Sequence, residues 1–96
     1  MAPAGHDLLN PADLQVELCR LLGVRARQLG LSPVQLSHPL HLDRTAISRL
    51  LDGQARGFSP ERLLRYLVLL GHHVEIVVRQ IHRRSSLRPG LIVRFE

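Results

Sequence analysis

Arg44, Thr45, Ser48 and Arg49 occupy positions i, i+1, i+4 and i+5 of one short segment. On a helix this spacing gathers them on one face. Their chemistry is hydrogen bonding to planar, acceptor-rich partners. An Arg fork can donate to guanine O6 and N7 together, and a Ser or Thr hydroxyl can meet either base type or a thymine methyl. Ile47 lies between them and Leu50 and Leu51 follow, and together these three supply an inward apolar face. All 13 basic residues are Arg. Two explanations stay open: the codon bias of a GC-rich genome, or a preference for forked donors that grip phosphate and guanine.

Other chemistries are poorly served. His38 and His41 stand three apart, and His72 and His73 are adjacent. Zinc asks for Cys or more ligands than these pairs offer, so they are read as surface or turn histidines and no metal is expected. Cys19 falls on the apolar side of a helix with no base placed beside it, which predicts a buried structural thiol. The sequence has no nucleophile–base signature, no phosphate-cradling Gly loop and no paired carboxylates. It is therefore read as a non-enzyme without a cofactor.

Helix signals position the four polar residues. Asn10-Pro11 reads as an N-cap and first turn, with Asp13 behind it. Leu14, Leu18, Leu21, Leu22 and Leu29 then recur at mostly helical spacing up to the stop at Gly30. This predicts a helix over about 11–29, loosened by Gly23. Ser32-Pro33 with Gln35 is a capping-box pattern opening a second helix. Its expected inward residues are Val34, Leu36 and Leu40, and Pro39 shortens it or distorts its last turn. Asp43 caps a third helix over about 44–52, ended by Gly53. Ser59-Pro60-Glu61 opens a fourth over about 60–70, with Leu63, Leu64, Leu67 and Leu70 inward and Gly71 as its stop. The second and third helices are joined only by His41-Leu42, which is the helix-turn-helix arrangement.

After Gly71 the period changes to two. Residues 73–79 are rich in β-branched side chains, with Val74, Ile76 and Val78 on one face. Such a strand could cover the core, pair with its copy in a second chain, or accept a strand from another protein. Dimer pairing is the favoured reading. Residues 91–95 are a second candidate strand that could form a hairpin with 73–79.

The chain has 96 residues and a formal net charge of +5. Its length predicts one domain with one modest core, too small for a two-domain enzyme with a large cleft. A single Cys excludes a disulfide-stapled scaffold. No apolar run approaches the roughly 20 residues of a membrane span, and no secretion signal is read near Met1. Residues 1–78 hold eight Arg against seven acids, whereas 79–96 hold five Arg against one. The excess charge thus lies in the tail. Arg79, Arg83, Arg84 and Arg88 form a candidate basic arm along DNA phosphates. The tail could instead grip an acidic protein patch, or have no role.

Two stretches carry a family resemblance. The run Leu31-Ser32-Pro33-Val34-Gln35-Leu36-Ser37, followed by Leu40 to Gly53, resembles the helix-turn-helix of the Cro/repressor (XRE-type) class. Ile47-Ser48-Arg49-Leu50-Leu51-Asp52-Gly53 is its clearest piece. Phe58-Ser59-Pro60-Glu61-Arg62-Leu63-Leu64, then Leu70-Gly71 and Val74-Glu75-Ile76, is similar to a subgroup of small HigA-like antitoxins and regulators in which a strand follows the last helix. The resemblance covers about residues 14–79. It implies a mainly α, five-element, lambda-repressor-like domain of about four helices with a short C-terminal β-strand or hairpin. It also implies a homodimer on double-stranded DNA that represses transcription, and in antitoxin members a bound protein toxin. Carried over by position, Arg44, Thr45, Ser48 and Arg49 read bases, and Ser32 and Arg56 meet the backbone. Pro33 replaces a common Gln, Ser37 a common Ala, and His41 a common Gly, so a left-handed backbone is expected at His41. A cytoplasmic bacterial or phage protein, nucleoid-associated when bound, follows from the same resemblance. The expected organisation is a flexible N-terminus over 1–10, the DNA-binding domain with its strand over 11–79, and a basic tail over 80–96 that could hold a second strand.

Overall fold

The computed structural model describes the backbone at residues 4–7 and 11–96 and the side chains from residue 13 onward. Four helices are followed by a strand: α1 (Pro11–Leu29), α2 (Pro33–Leu40), α3 (Arg44–Leu51), α4 (Pro60–Leu69) and β2 (Ile92–Phe95), with β1 (Ala4–Asp7) ahead of them. The fold is therefore mainly helical with a short C-terminal strand.

The ends of these helices follow local chemistry. Ser32 Oγ accepts from Gln35 N at 3.3 Å while Gln35 Oε1 accepts from Ser32 N at 2.8 Å, so the capping box is complete. Asp43 Oδ1 accepts from Ala46 N at 2.7 Å, and Ser59 Oγ from Arg62 N at 3.2 Å. Each bond satisfies a backbone donor that the first helical turn leaves without a partner. α2 runs through Pro39 into its last turn and ends at Leu40. His41 then adopts φ 54°, ψ 44°, the left-handed conformation expected of the turn. It is the sole residue other than Gly with positive φ among the described residues. The Asn10 cap lies outside the described residues.

The core is one cluster drawn from all four helices. Leu18, Leu21 and Leu22 of α1 meet Leu36 and Leu40 of α2, Ile47 and Leu50 of α3, and Leu63, Tyr66 and Leu67 of α4. Leu63 and Ile47 are wholly shielded from solvent. Cys19 is buried within the cluster, and burial pushes its thiol pKa up, the inert state expected of it. Phe58 seals the loop between α3 and α4, where its carbonyl accepts from Gln15 Nε2 at 2.6 Å.

Four expectations need correction. Val34 is 66% exposed, because in an eight-residue helix Leu36 and Leu40, four apart, already define the buried stripe. Leu29, on the last turn of α1, is also exposed. Residues 73–79 form no strand within the chain. β2 does form, but it pairs with the N-terminal segment instead of with 73–79. The register is antiparallel, with Ala4 opposite Phe95 and Asp7 opposite Ile92. The physical reason is shared: β propensity marks a segment that suits a sheet, while the partner that makes it a strand is set by tertiary structure.

Candidate nucleic-acid interface

The site is built on α3. Ile47 and Leu50 anchor it to the core, which turns the other side of the helix to solvent. Arg44, Thr45, Ser48 and Arg49 are all exposed there. The structure thus brings the four base-reading candidates onto one open face, with Arg44 and Thr45 in the first turn. Asp43 fixes that turn through its bond to Ala46 N.

The angle between α2 and α3 is set by the turn. His41 N donates to His38 O at 3.3 Å and Leu42 N to Ser37 O at 3.2 Å. The Ser37 hydroxyl donates to Leu42 O. Ser37 therefore uses its extra oxygen to tie α2 to the turn, a bond that an Ala there would not make. Val34, Ser37, His38, His41, Leu42 and Arg44 line a shallow open groove across this corner.

Ser32 and Arg56 sit on flanking elements, Ser32 at the start of α2 and Arg56 in the loop after α3, and both are exposed. Arg79, Arg83, Arg84 and Arg88 are exposed on the irregular stretch between α4 and β2. They share no regular element with α3.

The structure adds a group that sequence reading missed. The Arg49 guanidinium lies over the Phe58 ring, 5.8 Å from its centroid, and Arg62 lies over the same ring at 5.4 Å. Arg62 also donates from Nη2 to Tyr66 Oη at 2.8 Å and lies 5.8 Å over the Tyr66 ring. Phe58 meets Tyr66 edge to face, with centroids 6.4 Å apart. Cation–π contacts of this kind hold a guanidinium against a ring face. Arg49 thus carries a fixed support on the α4 side, whereas Arg44 has none of this kind. The signal in the sequence was Phe58 and Arg62 flanking a Ser-Pro cap, but nothing in spacing alone places them beside Arg49.

Arg25 makes a second link, remote from α3. Its Nε donates to Leu70 O at 2.8 Å, capping the end of α4. His72 follows, with Nε2 shielded from solvent and without a hydrogen-bond partner. Its ring meets Phe95 edge to face at 6.0 Å. Burial, and then the Arg25 charge, lower its pKa from the ordinary 6.5. Among the described residues no group of three or more His, Cys, Asp or Glu is placed to hold a metal ion. Nor is any described helix long and apolar enough to cross a membrane.

Comparison with known proteins agrees with this geometry. A helix-turn-helix domain model matches residues 6–79. A solved structure assigned to the XRE family of transcriptional regulators superposes with a TM-score of 0.73 at 27% sequence identity, covering 81% of this chain and 88% of its own. No curated protein matches the chain.

Proposed function

The chain belongs to the XRE-type helix-turn-helix family, and from that premise we propose that it is a transcriptional repressor acting as a homodimer on a pseudo-palindromic operator, with its own operon as target. The observation that carries this reading is the open face of α3, where Arg44, Thr45, Ser48 and Arg49 stand clear of the core. In such motifs the second helix enters the major groove and its N-terminal residues reach base edges. Arg44 and Thr45 hold that position here. Ser32 and Arg56 contact phosphates on either side, and Arg79, Arg83, Arg84 and Arg88 run along the backbone as an electrostatic arm. Two copies related by a two-fold axis place their α3 helices in successive major grooves, about 34 Å apart. The dimer forms through residues 73–79, with Val74, Ile76 and Val78 on the covered face. Repression follows from blocking polymerase, without an enzymatic step.

A second reading makes the chain the antitoxin half of a toxin–antitoxin pair. Its support is the exposed apolar run Ile76, Val77 and Val78, which a protein partner could cover. The basic tail is unsuited to a basic toxin.

Fluorescence anisotropy tests the repressor reading, using DNA from just upstream of the gene and scrambled DNA at one stated salt concentration. Saturable binding about a hundredfold or more tighter on the native DNA is expected, a threshold set below the ~10³–10⁷ typical of specific regulators. Equal, weak binding to both would overturn the reading and move the search to a protein partner.

A further inference from the structure

The segment after α4 has the composition of a strand and no partner strand in its own chain. Val74 is half-buried against the core. Ile76 is 77% and Val78 91% exposed, and Val77 between them is also exposed. Val68 and Leu69 at the end of α4 are exposed as well. Open backbone donors and acceptors beside uncovered β-branched side chains are a template for another strand.

The pattern of charges points to which strand. A two-fold axis perpendicular to a two-stranded antiparallel sheet leaves each side chain on its own face. It therefore allows only registers centred on a residue that opposes its own copy. A centre at Glu75 or Arg79 sets like charges directly opposite, which is destabilising. A centre at Ile76 sets Arg79 opposite His73 and leaves Glu75 against Val77. A centre at Val78 sets Glu75 against Ile81 and Arg79 against Val77. A centre at Val77 pairs Glu75 with Arg79 twice, once on each side of the axis. It also sets Ile76 opposite Val78 and His73 opposite Ile81. Both charged groups are free to meet across strands: Arg79 is exposed, and Glu75 accepts within its chain from His73 Nε2 at 3.0 Å on an exposed carboxylate, which has lone pairs for a second donor.

We infer that two copies of this chain join through residues 73–81 as an antiparallel pair centred on Val77, held in register by reciprocal Glu75–Arg79 pairs. This rests on the homodimer reading above and specifies it, and it takes Arg79 out of the phosphate arm, which Arg83, Arg84 and Arg88 then form. Val74 marks where each strand leaves its own core, so the antiparallel course carries Ile76 and Val78 toward the partner's Val74. The covered face is thereby made from both chains.

Cysteine cross-linking of the full chain tests the register. V77C places two thiols on directly opposed residues, with Cα atoms about 4.5–5.5 Å apart, within disulfide reach. I76C and V78C place like thiols on diagonal positions about 7–8 Å apart, beyond that reach. V77C is expected to give a disulfide-linked dimer under mild oxidation, and the other two to give little. The unsubstituted chain is the control, because Cys19 is buried. Glu75→Arg and Arg79→Glu should each raise the dimer dissociation constant about tenfold, and the double exchange should restore it, since opposed charges stabilise and like charges do not. A dimer by sedimentation that cross-links through I76C or V78C in preference would overturn the register and leave the homodimer standing. So would a dimer indifferent to all three cysteines and to the charge exchange. A chain that stays monomeric, both free and on operator DNA, would overturn the register and the homodimer together.

Discussion

His41→Gly should make the protein more stable. His41 sits at φ 54° with its side chain exposed. A side chain in the left-handed region costs about 1–2 kcal/mol through the clash of Cβ with the following carbonyl. Glycine has no Cβ and releases that strain. It also widens the unfolded ensemble, which offsets about 0.4–1 kcal/mol. The net gain is about 0.5–1 kcal/mol. For a domain of this size that raises Tm by about 2–6 °C. His41→Val should move the other way, because a branched Cβ tolerates the left-handed region worst. Urea unfolding at one fixed protein concentration measures both changes, since a dimer's stability depends on concentration. The expected result is a higher midpoint for Gly and a lower one for Val, with unaltered slopes. A lower midpoint for His41→Gly with no loss for His41→Val would refute the reasoning. It would mean that the His41 side chain contributes more than its backbone costs.

Three further outcomes follow from the same structure. Arg44→Ala should lose about 1–3 kcal/mol of discrimination at one base position per half-site, read by competition with operators mutated one base pair at a time; equal losses on operator and random DNA would remove its base-reading role. Arg84→Ala should weaken all sequences alike and lower the slope of log affinity against log salt by about one, read by anisotropy from low to high salt. His72 binds its proton less readily in the folded chain than its ordinary pKa of 6.5 would give, so the unfolded chain takes up that proton first as pH falls. Stability from this group is thus complete above about pH 6.5 and is lost as pH drops toward the folded value; His72→Phe should flatten that decline in urea titrations between about pH 7.5 and 5.5.

Much of the helical frame was legible because its signals are local. Ser32 with Gln35, Asp43 and Ser59 each satisfy a donor three residues away, and a reader of the sequence sees both partners at once. The left-handed backbone at His41 was legible only through the family resemblance, which sets a common Gly at that turn position. The polar face of α3 followed from the period of Ile47, Leu50 and Leu51. Val34 was misplaced because eight residues offer too few turns to fix the phase of a stripe. The stacking of Arg49 and Arg62 on Phe58 was invisible because it joins α3, a loop and α4 in space. The pairing of β1 with β2 was equally hidden: Ala4-Gly5-His6-Asp7 has little β propensity, and its partner lies at the far end of the chain. Residues 73–79 were read as strand-like from composition, and nothing in composition could say that their own chain offers them no neighbour.

The pairing of Ala4–Asp7 with Ile92–Phe95 also sets an order of events. During synthesis, β1 emerges before every helix, yet its partner is made after all of them. The four helices can gather their core first, through contacts much closer along the chain, and the clasp of the two ends must close late against the entropy of a loop that contains the whole domain. What closes last over so few residues is also what opens most readily. Amide protons of the clasp should therefore exchange with solvent well ahead of those around Leu22, Ile47 and Leu63. The molecule can then release its ends without loosening α3.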